Sequence, residues 1–313
     1  MSTGSRVRRA MKVIVPAAIT LVVIALVVRE VEVARLLDAF ASADLVLVVV
    51  ACALALFFNT VQSAELLRAA LSAFGTPVSF RGALAATVGN LAIHAVLPAA
   101  TGNVSRVAYL VKKEGANVPR STAAVLALLW MKLVSLFGLA ALGWTLAERA
   151  EPWQGAVSVA GFVLTLAGGL AVPRLAALLR RLVPKRLERI DRALGEGLDR
   201  IAVGRLLYAG LHSFVAVAIE LAIFQVLLRA VGGPFAPVAI LATFPLVVIG
   251  AKVPLTLMGI GTREALVLVS FGAASSGGTL LAATLLFSFA EHVLSALAGT
   301  LLTYRFVRAL ADC

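Results

Sequence analysis

Apolar residues in this chain come in long uninterrupted stretches rather than on one face of each helix. Six such stretches are Val13–Val28, Leu45–Leu67, Ser121–Ala147, Trp153–Val172, Leu207–Leu228 and Thr279–Tyr304. A bilayer core of about 30 Å takes roughly 20 helical residues. The pattern therefore predicts six full transmembrane helices. Two further apolar regions carry helix breakers. Gly82–Val111 contains Pro98 and Gly102, and Pro237–Phe271 contains Pro245, Pro254, Gly259 and Gly261. Proline removes a backbone donor and clashes with the preceding turn, and glycine weakens a helix. Each region is predicted as two half-helices of about 10–17 residues joined by unwound backbone, which survives at membrane depth only inside protein or beside a cavity.

Composition narrows the class. Of 313 residues, 61% are hydrophobic and 14% charged, with mean hydropathy +1.01. Soluble domains carry roughly 25% charged residues. A soluble enzyme, a disordered chain and a collagen-like chain are all excluded. The expected fold class is all-α, a polytopic membrane protein forming a single integral membrane domain over 1–313. Its loops are too short for a separate catalytic domain. Cys52 and Cys313 have neither metal-ligand nor redox spacing, so no metal and no cofactor are expected. The basic start, Arg6, Arg8 and Arg9, resembles a signal peptide. No convincing small-residue cleavage site follows, and Arg29-Glu30 comes directly after, so the first stretch is read as a retained span.

The net charge of +12 would suggest nucleic acid in a soluble protein. In a membrane protein it reads as topology, and no nucleic-acid partner is expected. With a cytoplasmic N-terminus, 20 of the 28 basic residues fall inside, including nine from Arg174 to Arg205, and Arg29, Arg35, Arg149 and Arg229 fall outside. Both termini are then cytoplasmic. The first broken region would be a re-entrant hairpin entering from inside and the second one entering from outside. Pro98-x3-Gly102-x3-Arg106 resembles Pro254-x4-Gly259-x-Gly261-x-Arg263, with the prolines 156 residues apart. An inverted repeat of 1–156 and 157–313 is one reading, since opposed broken helices mark many transporters. The 174–206 segment is basic and amphipathic. It reads either as a solvated loop or as a surface for anionic lipid headgroups.

The remaining charges lie at bilayer depth, where each costs about 2.5–3.5 kcal/mol on insertion scales. Arg106 and Arg263 are expected to open the second half of each hairpin, with Thr101 or Asn103, and Thr262, as N-caps. A helix N-terminus suits an anion, and arginine binds phosphate bidentately. Arg106, Lys252 and Arg263 are thus candidate phosphate ligands. The alternative is that Arg106 snorkels and Arg263–Glu264 is a structural pair. Lys132 is expected to pair with Glu220, Glu264 or Glu291, or to face a cavity. Glu220, Glu291 and His292 are candidates for proton coupling or for helix–helix contacts. Ser288, His292 and Ser295 should share one helix face, and Asn59, Gln62 and Glu65 should line an interhelical seam. Asn90 and His94 precede Pro98 and are placed to touch cargo. No Walker loop, Gly-x-Ser-x-Gly or paired-His motif is present, so the chain is expected not to be an enzyme.

The stretches Gly89-Asn90…His94…Pro98…Thr101-Gly102-Asn103…Arg106 and Pro254…Gly259-Ile260-Gly261-Thr262-Arg263-Glu264 carry a resemblance. They are similar to the signatures of the flippase-like transmembrane family typified by the membrane half of lysylphosphatidylglycerol synthase, the multiple peptide resistance factor. The likeness spans roughly Val13 to Arg308. In the first signature an acidic residue usually follows the glycine, where Asn103 stands here. The resemblance implies translocation of an anionic, aminoacylated or glycosylated lipid between leaflets of the bacterial cytoplasmic membrane. It also implies that Pro98, Gly102, Arg106, Pro254, Gly259, Gly261, Arg263 and Glu264 shape the site. The synthase half is not found before Cys313, so synthesis of the lipid is expected from a partner enzyme. Two alternatives stay open: a non-transporting accessory subunit of a lipid-modifying enzyme, and a membrane-embedded transferase.

Overall fold

The computed structural model describes residues 29, 33–96, 99–147, 152–182, 201–234, 236–252 and 261–302. The stretch Val13–Val28, Pro98, Pro254, Gly259 and most of the basic 174–206 segment lie outside them. Among the described residues every regular element is helical. They are α1 (Val33–Ala41), α2 (Leu45–Phe57), a π-helical segment πA (Phe58–Gln62), α3 (Ser63–Ala73), α4 (Phe80–Val96), α5 (Ala99–Glu114), α6 (Val118–Leu146), α7 (Pro152–Leu182), α8 (Val203–Ala230), α9 (Pro237–Gly250), α10 (Thr262–Phe271), α11 (Gly277–Ser288), a second π-helical segment πB (Phe289–Leu294) and α12 (Ser295–Leu302).

Five of the expected spans are present as helices long and apolar enough to cross a bilayer: Leu45–Ala73, Val118–Leu146, Pro152–Ala171, Val203–Ala230 and Gly277–Thr300. Polar caps set the starts of the first two. Asp44 accepts hydrogen bonds from Val46 N and Leu47 N at 2.9 and 3.2 Å, and Asn117 accepts from Arg120 N at 3.1 Å. Each side-chain oxygen satisfies donors that the first helical turn leaves free.

The core gathers around α8, which packs on α2, α3, α6, α9 and α11. At its centre Phe224 stacks on Phe244 with ring centroids 3.8 Å apart, and Phe287 meets both rings edge-on. Helix α7 sits at the periphery against α6. Gly155, Gly161 and Gly169 receive the rings of Trp144, Phe137 and Trp130, and Trp130 Nε1 donates to the Thr165 carbonyl at 2.6 Å. The rings recur every seventh residue on α6, so one face of that helix meets the glycines in succession.

The two broken regions form four short helices of 17, 16, 14 and 10 residues. Helices α4 and α5 pack on each other, and so do α9 and α10. The start of α4 and the end of α5 meet, because Glu114 Oε2 accepts from Ser79 N at 3.1 Å. Two expected breakers do not break. Gly102 lies inside α5 and Pro245 inside α9. A glycine costs a helix only about 1 kcal/mol, and tertiary contacts offset that readily. Around Pro245 the buried faces of α9 pack on α6 and α8, which holds the helix together through the lost hydrogen bond.

The π-helical segments were not expected. In both, a serine that follows the segment or lies within one turn of it binds a carbonyl five residues back. Ser63 Oγ donates to Phe58 O at 2.9 Å and Ser295 Oγ to Ala290 O at 3.3 Å. A hydroxyl bonded to a preceding carbonyl competes with the regular ladder and helps open the wider turn. Segment πB packs against α2 and α4, and πA packs against α4 and α8.

Candidate functional site

The start of α10 is built on Gly261, whose φ of +91° is a conformation that a side chain would strain. Glu264 Oε2 accepts from Gly261 N at 2.5 Å, the carboxylate half of a capping box. Its other oxygen, Oε1, accepts from Ser288 Oγ at 2.8 Å. Arg263 donates from Nη1 to Ser288 Oγ at 3.1 Å, and its Nη2 lies 3.2 Å from His292 Nε2. Its guanidinium also sits over the Phe287 ring, 5.1 Å from the centroid. Arg263 and Glu264 are 7% and 2% exposed, so both charged groups are held inside the protein by α11 and πB. Gly261 is the N-cap and Thr262 the first helical residue, which corrects the expectation of Thr262 as cap.

Lys132 on α6 and Glu220 on α8 form an ion pair at 2.7 Å. Of the three acids that the sequence left open as partners of Lys132, Glu220 is the one selected. The same helix pair carries a second polar contact, Ser135 Oγ to Ser213 Oγ at 3.1 Å. Glu291, buried on πB, is reached by Asn59 of πA. Asn59 Nδ2 lies 3.4 Å from Glu291 Oε1 and 3.0 Å from Ser295 Oγ. Lys132, Glu220, Lys252, Arg263 and Glu291 all act electrostatically on one another. Five charges scattered over more than 150 residues of sequence thus form one group between α6, α8, α9, α10 and πB.

Arg106 does not join that group. It lies in the middle of α5, not in its first turn, and Thr101 and Asn103 are helical rather than capping. None of the five charges is among the groups that act on it, and its buried Nε has no hydrogen-bond partner in the protein. The expected trio of Arg106, Lys252 and Arg263 is therefore two cations together and one apart. The reason is local: α5 starts at Ala99, directly after the break, so the arginine is carried two turns into the helix.

The face expected to hold Ser288, His292 and Ser295 is divided. Ser288 and His292 meet Arg263, whereas Ser295 meets Asn59. The π turn adds a residue and rotates everything after it, which swings Ser295 to the side of Glu291. The Asn59–Gln62–Glu65 seam is likewise divided. Asn59 turns to Glu291, Gln62 is buried, and Glu65 pairs with Arg68 at 2.6 Å on the surface. Asn90 is buried in α4, and His94 lies in the last turn of the same helix. Asn59, Ser288 and the two π segments were the functional features least accessible to sequence reasoning. Their signal was a pair of phenylalanine-led polar stretches, Phe58–Ser63 and Phe289–Ser295, in otherwise apolar spans.

Residues 13–299 match the family described as the lysylphosphatidylglycerol synthase TM region. The chain belongs to this family. Comparison with individual curated proteins gives no match. Membership in the lysylphosphatidylglycerol synthase TM family, with five membrane-length apolar helices, makes the protein an integral membrane protein with a lipid-related role. The match covers both broken regions and all five charges of the group.

Proposed function

We propose that this chain is a flippase-like lipid transporter that carries an anionic headgroup between the leaflets of a cytoplasmic membrane. The observation that carries the reading is the charge group beside the glycine-led start of α10, in which Glu220, Arg263 and Glu291 are buried. In this reading the α4–α5 pair enters from the cytoplasmic side and the α9–α10 pair from the opposite side. The bond from Ser79 to Glu114, which brings the two ends of the first pair to one level, supports that arrangement. Both termini are then cytoplasmic, and the acyl chains stay in lipid while the headgroup passes between the helices.

Lys132, Lys252 and Arg263 face Glu220 and Glu291. Three cations meet two carboxylates, so the group holds one positive charge in excess, which favours an anion. An incoming phosphate would displace a carboxylate from a cation and be displaced in turn. That exchange keeps binding reversible, which transport requires more than affinity. Arginine is suited to the phosphate because its planar fork can hold two oxygens at once. Protonation of Glu291 or His292 would bias the exchange.

The test is translocation of fluorescent phosphatidylglycerol in reconstituted vesicles, read by leaflet accessibility. Arg263→Gln should lower the rate to that of empty vesicles while the protein still inserts. Full activity in that variant would end the phosphate role.

A further inference from the structure

A second polar group lies against the first and carries no charge. Gln62 on πA and Thr87 and Asn90 on α4 are 7%, 1% and 7% exposed. Gln62 Nε2 and Oε1, Thr87 Oγ1 and Asn90 Oδ1 are buried without a hydrogen-bond partner in the protein. Segment πA packs on α4. The two also belong to one antiparallel turn of chain, since only residues 74–79 separate α3 from α4. Counting back from that turn sets Gln62 opposite the stretch that holds Asn90, and Thr87 and Asn90 share a face at i, i+3.

A buried polar atom left without a partner costs about 1–3 kcal/mol, and native interiors leave few of them. Four such atoms on two touching elements, brought opposite one another by the turn, suit a ligand. Its chemistry is specific. An amide offers donors and acceptors together, and a threonine hydroxyl offers both on one atom. None of the three attracts a phosphate or an ammonium as a charge would. They match neutral hydroxyls, which also donate and accept.

The neutral group adjoins the charged one. Gln62 is three residues beyond Asn59, which holds Glu291 and Ser295, and α4 packs on πB as well as on πA. We infer that Gln62, Thr87 and Asn90 form a subsite for the hydroxyl-bearing, uncharged part of the lipid headgroup, next to the charges that take its phosphate. The inference rests on the lipid-transport reading and narrows it: the cargo carries a polyol or a sugar beyond the phosphate.

The test compares three lipids with the same phosphate charge in the purified full-length protein. Phosphatidylglycerol and phosphatidylinositol bear free hydroxyls, and phosphatidylmethanol bears none. Binding is read as thermal stabilisation in detergent and transport as leaflet exchange in vesicles. At least one hydroxyl-bearing lipid should bind at least about tenfold more tightly than phosphatidylmethanol, the ratio expected when a site built for hydroxyls meets an analogue lacking them. The volume-conserving variants Gln62→Met and Thr87→Val should remove that preference and leave phosphatidylmethanol binding unchanged. Equal binding of all three lipids by the unaltered protein would overturn the subsite and leave lipid transport standing. So would a preference that survives both variants, which would mark the group as holding ordered water alone. Failure of all three lipids to bind or move would instead overturn the transport reading beneath it.

Discussion

The two broken regions share a sequence pattern and differ in what surrounds their arginines. Arg106 sits in mid-helix on α5, with its Nε buried and unpartnered. Arg263 is the second residue of α10 and is held by Ser288, His292 and the Phe287 ring. The first hairpin buries the neutral Thr87 and Asn90 on α4, and the second buries Arg263 and Glu264 on α10. A shared Pro…Gly…Arg spacing therefore does not give a shared site. The position of the helix start relative to the arginine decides whether its charge meets the helix end or a neighbouring helix.

Four measurements can break or sharpen that contrast, and all read unfolding in detergent. The largest effect belongs to the second region. Lys132→Met leaves Glu220 buried and unpaired, and should destabilise the protein by about 3–5 kcal/mol. Adding Glu220→Met should return most of that loss. A double variant as unstable as the single one would mean that the pair matters through something other than its charge. Arg263→Gln should cost about 1–3 kcal/mol, because Ser288 and Glu264 lose a charged neighbour while staying buried. Gly261→Ala should cost about 1–2 kcal/mol through its positive φ. Smallest is Arg106→Gln, expected within about 0.5 kcal/mol of the unaltered protein or slightly more stable, since no hydrogen bond of its Nε is lost. A large loss there would show that the first hairpin relies on its arginine as the second does.

Much of the fold could be read directly. The five described spans begin and end within a few residues of the apolar stretches, because a bilayer demands one length and one polarity of every crossing helix. The half-helices also have the expected lengths. The breakers were less legible. Gly102 and Pro245 sit inside helices, since a local preference of about 1–3 kcal/mol yields to packing on both sides. At the site, Lys132, Glu220, Lys252, Arg263 and Glu291 stood out as ionisable residues in apolar surroundings. Which of them met could not be read, because a single-residue register change on any helix would alter the pairs. Asn59 and Ser288 carry no charge to mark them in an apolar span, yet they bind Glu291 and Arg263.

The sequence by itself determined that the chain is a bundle of membrane helices, where its helices lie and which residues carry charge into the bilayer. Hydropathy is a property of each segment and needs no knowledge of its neighbours. Only the tertiary structure decided that five of those charges form one group, that Arg106 stands apart, and that two π turns face the hairpin between them. Those outcomes depend on the rotation of each helix about its axis. That rotation is set by packing, as where Trp and Phe rings of α6 enter the glycines of α7 and Phe224 stacks on Phe244.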